Sequence, residues 1–300
     1  MDQLIPLSRS GGGYLPGEGR HDRAQGPLRK LDIRLPAAGR PAEYTLRAGD
    51  QRVGLNAWLG RRIVLRHTGE IHCIECGRAT RKSFGQGHCY PCFSSLAHCD
   101  LCMMRPETCH YFRGTCRDPA WGERHCFRPH TVYLANASGL KVGITRGTNM
   151  PTRWLDQGAI QALPILDVET RQQSGFVETL FKAQVSDRTN WRAMLKGEVE
   201  PLDLVAERDR LLASLEPGLG ELRRRFGHDA IQAVDAAAPL SIDYPVLEWP
   251  RKIVSFNFDK TPRIEGTLMG LKGQYLILDT GVVNLRKFAG YQVAVSAEAA

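Results

Sequence analysis

The amino-acid sequence predicts an α+β protein built from several small domains, and three features of the 300-residue chain support this prediction. Short strand-like segments separated by turn residues lie near both ends of the chain. All nine cysteines lie between these segments, within residues 72–130, where hydrophobic periodicity is absent. Strand and helix patterns then alternate over residues 131–200. A chain of this length is long enough for two or three domains.

The N-terminal region divides into two parts. Residues 1–26 are rich in glycine, arginine and polar side chains, so we expect them to lack fixed structure. Residues 27–71 contain three strand-like stretches, at 44–47, 53–55 and 61–66, which predict a small β domain.

The composition bears on where the protein works. Of the residues, 42% are hydrophobic, and no apolar run approaches the length that spans a membrane. The N-terminus has no basic start, and glycines 11–13 interrupt it before an apolar segment forms, so no signal peptide is expected. These features predict a cytoplasmic protein whose thiols serve metals or catalysis more often than disulfides.

The net charge of +8 and the pI of about 9.1 favour an anionic partner. Nucleic acid is the commonest such partner. The excess is mild for the length of the chain, so it is equally consistent with an ordinary solvated surface. Charge therefore supports nucleic acid as the partner without establishing it.

The strongest motif is a pair of cysteine knuckles. Two Cys-x2-Cys pairs are separated by twelve residues and consist of Cys73, Cys76, Cys89 and Cys92. Each knuckle points two sulfurs at one point, and together they supply the four thiolates of a tetrahedral zinc site. Four protein ligands leave no open position, so we expect this zinc to be structural.

A second cluster contains Cys99, Cys102, Cys109, Cys116 and Cys126. Five cysteines can form a second four-ligand site with one to spare, and no spacing rule selects the four. We expect a second zinc there. An iron–sulfur cluster and a lone reactive cysteine are the alternatives. The histidines nearby, at positions 98, 110, 125 and 130, are expected to cap, stack or remain solvated.

The segment after the cysteines predicts a compact α/β unit over residues 131–200. A strand at 131–135, a turn and a returning strand at 140–145 indicate a hairpin. A helix carrying Arg153 should follow Pro151, then a third strand at 163–168 and a second helix from near Ser174.

This order of elements, with Tyr133, Lys141, Arg153 and Glu178 on them, resembles the GIY-YIG nuclease module in a divergent form. The resemblance implies catalytic roles for these four residues. Glu178 would hold a Mg²⁺ or Mn²⁺ ion, Arg153 would balance charge on the phosphate, and Tyr133 would help to activate water. Lys141 stands where the second motif tyrosine is usual, and it would hold a phosphate. Lys182, one turn after Glu178, offers an alternative as its ion-pair partner.

The wider chain also resembles an uncharacterised bacterial family of unknown function. This resemblance rests on residues 141–146 and 153–159, which follow a cysteine-rich stretch, and it extends over nearly the whole length. It implies no activity.

The last hundred residues complete the predicted organisation. Two helical patterns, at 204–215 and 222–234, are separated by Pro217 and Gly218 and predict a helical segment over 201–240. Strand patterns and glycines then predict a small β-barrel-like domain at 245–300. Whether the two terminal β segments form one domain stays open.

Three functions follow from these features. The first is a zinc-stabilised nucleic-acid-binding protein that has residual metal-dependent phosphodiesterase activity or has lost it. The second is an active Mg²⁺- or Mn²⁺-dependent endonuclease. The third is a non-catalytic scaffold whose zinc sites present a protein-binding surface. Binding ranks above catalysis because it survives the loss of the second tyrosine.

Overall fold

The computed structural model describes residues 23–37 and 39–298. The strands are β1 (Arg23–Pro27), β2 (Asp32–Arg34), β3 (Glu43–Ala48), β4 (Gln51–Gly54), β5 (Arg62–Ile71), β6 (His130–Asn136), β7 (Leu140–Arg146), β8 (Gln161–Val168), β9 (Ile231–Ala233), β10 (Leu240–Ser241), β11 (Arg263–Lys272), β12 (Tyr275–Leu278), β13 (Gly281–Asn284) and β14 (Tyr291–Ala297). The α-helices are α1 (Tyr90–Ser95), α2 (Pro119–His125), α3 (Thr152–Asp156), α4 (Arg171–Phe181), α5 (Trp191–Lys196) and α6 (Leu204–Phe226).

The two ends of the chain share one antiparallel sheet of order β1-β14-β5-β11-β12-β13. Strand β14 lies between β1 and β5, so the C-terminal segment pairs with the N-terminal one. The barrel-like unit expected at 245–300 is therefore part of a sheet built from both ends. Of the expected unstructured segment 1–26, residues 1–22 lie outside the described residues and residues 23–26 belong to β1.

The α/β unit has the predicted order of strand, strand, helix, strand and helix, from β6 to α4. Its sheet has the order β10-β8-β6-β7, with β9 added on β8. Every residue of β6 is buried because alternate side chains enter two different cores. Tyr133 and Ala135 pack into the core of the terminal β structure, whereas Val132 and Leu134 pack against the helices.

Helices α4 and α6 differ in how closely they follow the sequence prediction. Helix α4 begins at Arg171, three residues before the predicted start near Ser174, because Thr170 and Gln173 form a capping box there. The break predicted at Pro217 and Gly218 is wrong, since α6 runs through Pro217. Leu211, Leu215 and Leu219 on one face of α6 are buried and stabilise the helix across the proline. Residues 231–233, predicted as helix, form β9.

The cysteine-rich region differs from the rest of the molecule in what holds it together. None of its residues from 72 to 131 belongs to any of the three apolar core clusters. It consists of α1, α2 and short 3-10 turns, so burial of apolar surface contributes little to its stability. Within the described residues, no helix combines the length and apolarity needed to cross a membrane.

Candidate functional site

The first two cysteine knuckles form a compact four-sulfur site just after β5. The Sγ atoms of Cys73, Cys76, Cys89 and Cys92 all lie within 4.8 Å of one another. The Sγ atoms of Cys76 and Cys89 are 3.8 Å apart, which matches the separation of about 3.8 Å that zinc–sulfur bonds of about 2.3 Å give in a tetrahedron. The donor set and its geometry therefore fit a structural zinc ion.

Backbone geometry explains how the sequence builds this site. Gly77 has a φ of 71° and donates its amide to the carbonyl oxygen of Cys73, which closes the first knuckle. The Ile74 amide donates to the carbonyl oxygen of Gly87, so the two knuckles are bonded to each other. A Cβ atom at Gly87 would lie 2.7 Å from Ile74, and only glycine permits this approach.

The electrostatics of the first site favour a thiolate. Burial raises the pKa of Cys73, but hydrogen bonds from the backbone amides of Cys76, Cys89 and Glu75 outweigh burial and lower that pKa to about 6. Cys73 is thus prepared to bind a metal near neutral pH, because the thiolate is the ligand form.

Four of the five cysteines of the second cluster lie around one small cavity. Cys102, Cys109, Cys116 and Cys126 line a cavity of about 20 Å³, whereas Cys99 lines a different and larger one. A hydrogen bond from Cys102 lowers the pKa of Cys109 to about 6 against the effect of burial. The structure thus groups four thiols of the five and separates Cys99 from them.

An acidic group beside this cluster already has its partners. Asp100, Cys102 and His110 present ligand atoms within 4.8 Å of one another. The carboxylate of Asp100, however, lies 2.9 Å from Nε of Arg117 and 3.4 Å from Nε2 of His110. Asp100 is thus ion-paired with Arg117 and lies beside His110, while Cys102 also lines the four-thiol cavity.

The four residues assigned by the nuclease resemblance come together beside the larger cavity. Tyr133 is fully buried on β6, and its hydroxyl donates to Oε1 of Gln157 at 3.2 Å. Nζ of Lys141 donates to the same oxygen at 2.5 Å and to Oγ1 of Thr189 at 3.0 Å. Burial, reinforced by the Arg153 charge, lowers the pKa of Lys141 to about 8. Gln157 therefore holds the two motif side chains together.

The strand pairing explains the position of the Tyr133 ring. Gly143 on β7 faces Tyr133 on β6. A Cβ atom at Gly143 would lie 2.6 Å from Cζ of Tyr133, so the ring crosses the neighbouring strand where a side chain is missing. Trp154 meets the ring edge-on at 5.9 Å and is buried, which makes it a packing residue.

Arg153 and Glu178 line the larger cavity. The carboxylate of Glu178 forms an ion pair with Lys182 at 3.2 Å, and Lys182 also lies 3.1 Å from Asp187. The i, i+4 pair considered from the sequence is therefore present. Burial raises the pKa of Glu178, and the Lys182 charge offsets only part of this effect.

The larger cavity, of about 510 Å³, lies between the cysteine-rich region and the α/β unit. Four arginines line it, at positions 146, 153, 171 and 286, together with three histidines, at 88, 98 and 125. Asp100 and Glu178 are the acidic lining residues, and both have cationic partners. The arrangement suits an anionic group because planar guanidinium forks bind phosphate and carboxylate oxygens in pairs.

Sequence reasoning missed most of this cavity. Arg286 comes from the C-terminal β segment, and its Nε donates to Oε1 of Gln86, 200 residues earlier, at 2.5 Å. Arg171 begins α4, and its Nη2 donates to the carbonyl oxygen of Met103 at 2.6 Å. No local pattern marks either residue, because the contacts depend on how the segments dock.

The remaining histidines near the cysteines have structural partners. His125 stacks on Trp121 with ring centroids 4.3 Å apart, and its Nδ1 lies 2.8 Å from the Trp121 carbonyl oxygen. Nδ1 of His130 lies 2.7 Å from the carbonyl oxygen of Arg128, and Nδ1 of His110 lies 2.8 Å from Oγ1 of Thr115.

Comparison with known proteins identifies a family but no characterised relative. No curated protein and no solved structure matches the chain. The model of a family described as protein of unknown function (DUF2797) matches residues 60–293, which include the cysteine-rich region, the α/β unit and most of the terminal sheet. The chain therefore belongs to the DUF2797 family of proteins of unknown function.

Proposed function

We propose that this protein binds nucleic acid and holds phosphate groups in the arginine-lined cavity. The observation that carries the proposal is the convergence of Arg146, Arg153, Arg171 and Arg286 on one cavity whose two carboxylates are already paired. Arg286 also lies 3.9 Å from the Asp156 carboxylate. The cavity lining still carries more guanidinium than carboxylate groups. Such an excess attracts a phosphodiester backbone, and phosphate contacts supply most of the affinity of such proteins.

Single-stranded nucleic acid is the form that the surface suits best. Tyr90 and Phe112 in the cysteine-rich region are 63% and 78% exposed. Exposed aromatic rings on a protein that also has a basic cavity provide faces on which unpaired bases stack. We therefore expect RNA or single-stranded DNA to bind more tightly than duplex DNA.

Metal centres hold the walls of the cavity in this proposal. Zinc binds Cys73, Cys76, Cys89 and Cys92, whose sulfurs lie within 4.8 Å of one another. A second centre binds Cys102, Cys109, Cys116 and Cys126, and the support for this set is that all four line one small cavity. Four thiolates suit zinc and also an iron–sulfur cluster. Elemental analysis for zinc, iron and sulfide, together with the visible absorption of the protein, distinguishes these two centres.

Fluorescence anisotropy with labelled single-stranded RNA, single-stranded DNA and duplex DNA tests the proposal across a range of salt concentrations. The logarithm of affinity should fall linearly with the logarithm of salt concentration. Arg146→Ala and Arg153→Ala should each weaken binding and reduce the slope by about 1 per lost phosphate contact. Arg52→Ala, at an exposed position of β4, is the matched control and should bind as wild type does. Binding that ignores ionic strength, or cavity variants that bind normally, would refute the proposal.

A second candidate is a Mg²⁺- or Mn²⁺-dependent endonuclease. It is favoured by the gathering of Tyr133, Lys141, Arg153 and Glu178, whose charges and hydrogen bonds perturb one another. In this candidate Arg153 stabilises charge on the phosphate, Lys141 holds a phosphate oxygen, and Tyr133 orients water. A divalent ion at Glu178 would polarise the phosphate, and binding there requires the Lys182 ammonium to leave the carboxylate.

Binding ranks above cleavage because the Tyr133 hydroxyl is fully buried and bonded to Gln157, away from attacking water. Incubation of labelled RNA and DNA with Mg²⁺ or Mn²⁺ tests cleavage directly. Cleavage by wild type that is lost in Glu178→Ala would support the endonuclease. If both proteins cleave equally, or neither does, the catalytic assignment fails.

A further inference from the structure

Two histidines face each other at the edge of the arginine-lined cavity. Nε2 of His88 lies 3.1 Å from Nε2 of His98, and Sγ of Cys99 completes a group whose ligand atoms all fall within 4.8 Å of one another. Bonds of about 2.0–2.1 Å to a tetrahedral zinc ion place two imidazole nitrogens about 3.3 Å apart. The spacing of the two nitrogens is thus close to that of a metal chelate, with the Cys99 thiol beside them.

The surroundings of His88 favour a metal over a simple contact between two rings. The residue is 5% exposed, and its Nδ1 is buried without a hydrogen-bond partner. A hydrogen bond between the two rings leaves Nδ1 unpaired in either tautomer, so the ring is buried with a single polar contact. Burying such a ring costs free energy, and a metal bond at Nε2, in place of the single contact between the rings, would offset part of that cost while Nδ1 stays unpaired.

We propose that His88, His98 and Cys99 bind one divalent transition-metal ion, with zinc the best match to two imidazoles and a thiolate. Three protein ligands leave a fourth coordination position, and all three residues line the 510 Å³ cavity. Zinc sites with three protein ligands and an open coordination position are typical of catalytic centres, whereas closed four-thiolate sites are structural. The open position takes water or an anion, which the arginines of the cavity attract.

This site is distinct from the two four-cysteine groups, and it goes beyond the proposed binding of nucleic acid. Cys99 lines the larger cavity and is absent from the lining of the small four-thiol cavity. The metal is therefore expected whether or not nucleic acid binds, and it is measured without nucleic acid.

Metal content per monomer tests the proposal on the full chain after reconstitution with Zn²⁺. His98→Ala should lose about one equivalent of zinc relative to wild type, and His98→Cys, which keeps a ligand, should retain it. His228→Ala, with a side chain that is 93% exposed, is the matched control and should lose none. A His98→Ala protein with the full wild-type zinc content would overturn the proposal.

Cobalt spectroscopy of the wild-type protein provides a test that does not depend on any variant folding. After replacement of zinc by Co²⁺, added azide should shift the visible absorption of the ion with an open position. Closed four-thiolate sites have no position for azide and should not respond. A wild-type cobalt spectrum that azide leaves unchanged would contradict an open metal site and overturn the proposal.

Discussion

The backbone amide of Arg171 donates to the carbonyl oxygen of Cys126 at 2.8 Å. This bond joins the first residue of α4 to the last cysteine of the cysteine-rich region. A second bond, from Nε2 of Gln172 to the carbonyl oxygen of Cys109 at 3.3 Å, strengthens the same junction. Because α4 also carries Glu178, a metal bound by these cysteines would support the wall of the candidate site.

Metal removal should therefore loosen α4 as well as the cysteine-rich region. We expect a zinc chelator under reducing conditions to increase amide hydrogen exchange in the cysteine-rich region and in the first turns of α4. Metal-dependent folding free energy is lost there when the thiolates are released. Exchange in β5 and β14, which belong to the apolar terminal core, should change far less. Equal protection of α4 with and without metal would contradict this coupling.

The packing of α4 on the cysteine-rich region makes a prediction about Gly175. A Cβ atom there would lie 2.5 Å from the backbone nitrogen of Glu107 and 2.9 Å from the carbonyl carbon of Pro106. Gly175→Ala should lower the free energy of unfolding by about 1–3 kcal/mol, because backbone atoms must move to admit the methyl group.

Gly220→Ala on α6 is the matched control for this substitution. Its Cβ atom would meet only Nη1 of Arg224, at the ordinary distance of 3.8 Å. Alanine at this helical position should raise the stability by up to about 1 kcal/mol. Urea denaturation of both variants measures the contrast. A Gly175→Ala protein as stable as Gly220→Ala would show that α4 does not pack closely against residues 106–107.

We expect the side chain of Gln157 to contribute to the stability of the fold. Gln157→Leu removes the acceptor shared by the Tyr133 hydroxyl and the Lys141 ammonium, both of which are buried. We expect a loss of about 2 kcal/mol, since a buried hydroxyl donor loses its acceptor and a buried ammonium keeps only the Thr189 hydroxyl of its two acceptors. Gln232→Leu, at an exposed position of β9, should stay within about 0.5 kcal/mol of wild type in the same urea titration.

The buried Lys141 predicts a specific dependence of stability on pH. Its pKa falls from 10.5 to about 8 in the folded protein, so between these values the unfolded chain binds more protons than the folded one. The Lys141 contribution is therefore unfavourable below pH 8 and is relieved as the pH rises towards 10.5. The total change is about 3 kcal/mol.

Comparison with Lys141→Met isolates this contribution, because thiols and Lys272 titrate in both proteins. The difference in unfolding free energy, wild type minus variant, should rise between pH 8 and pH 10.5. A difference that stays flat across this range would show that Lys141 keeps an ordinary pKa.

The parts that could be predicted from the sequence are those with local causes. The hairpin of β6 and β7 follows from the apolar strand patterns on either side of a turn, and the pair of cysteine knuckles follows from the spacing of its ligands. The continuous helix α6 could not be predicted, because Pro217 and Gly218 resemble a break and buried leucines on one face outweigh them.

The other features that the sequence does not predict depend on contacts between distant segments. The shared sheet of the two termini depends on β1 and β14, and the cavity depends on Arg286 meeting Gln86. The separation of Cys99 from the other four cysteines of its cluster likewise follows from the folded path of the chain, since the spacing of the five is compatible with several choices.

The central claim is that cysteine–metal bonds, in place of an apolar core, hold residues 73–126 in the fold. Elemental analysis of well-folded protein purified without added metal tests it most directly. We predict at least about one transition-metal equivalent per monomer, and a loss of about one equivalent in Cys76→Ser but none in the surface control Ser94→Ala. A folded monomer that contains substantially less than one equivalent would contradict the account.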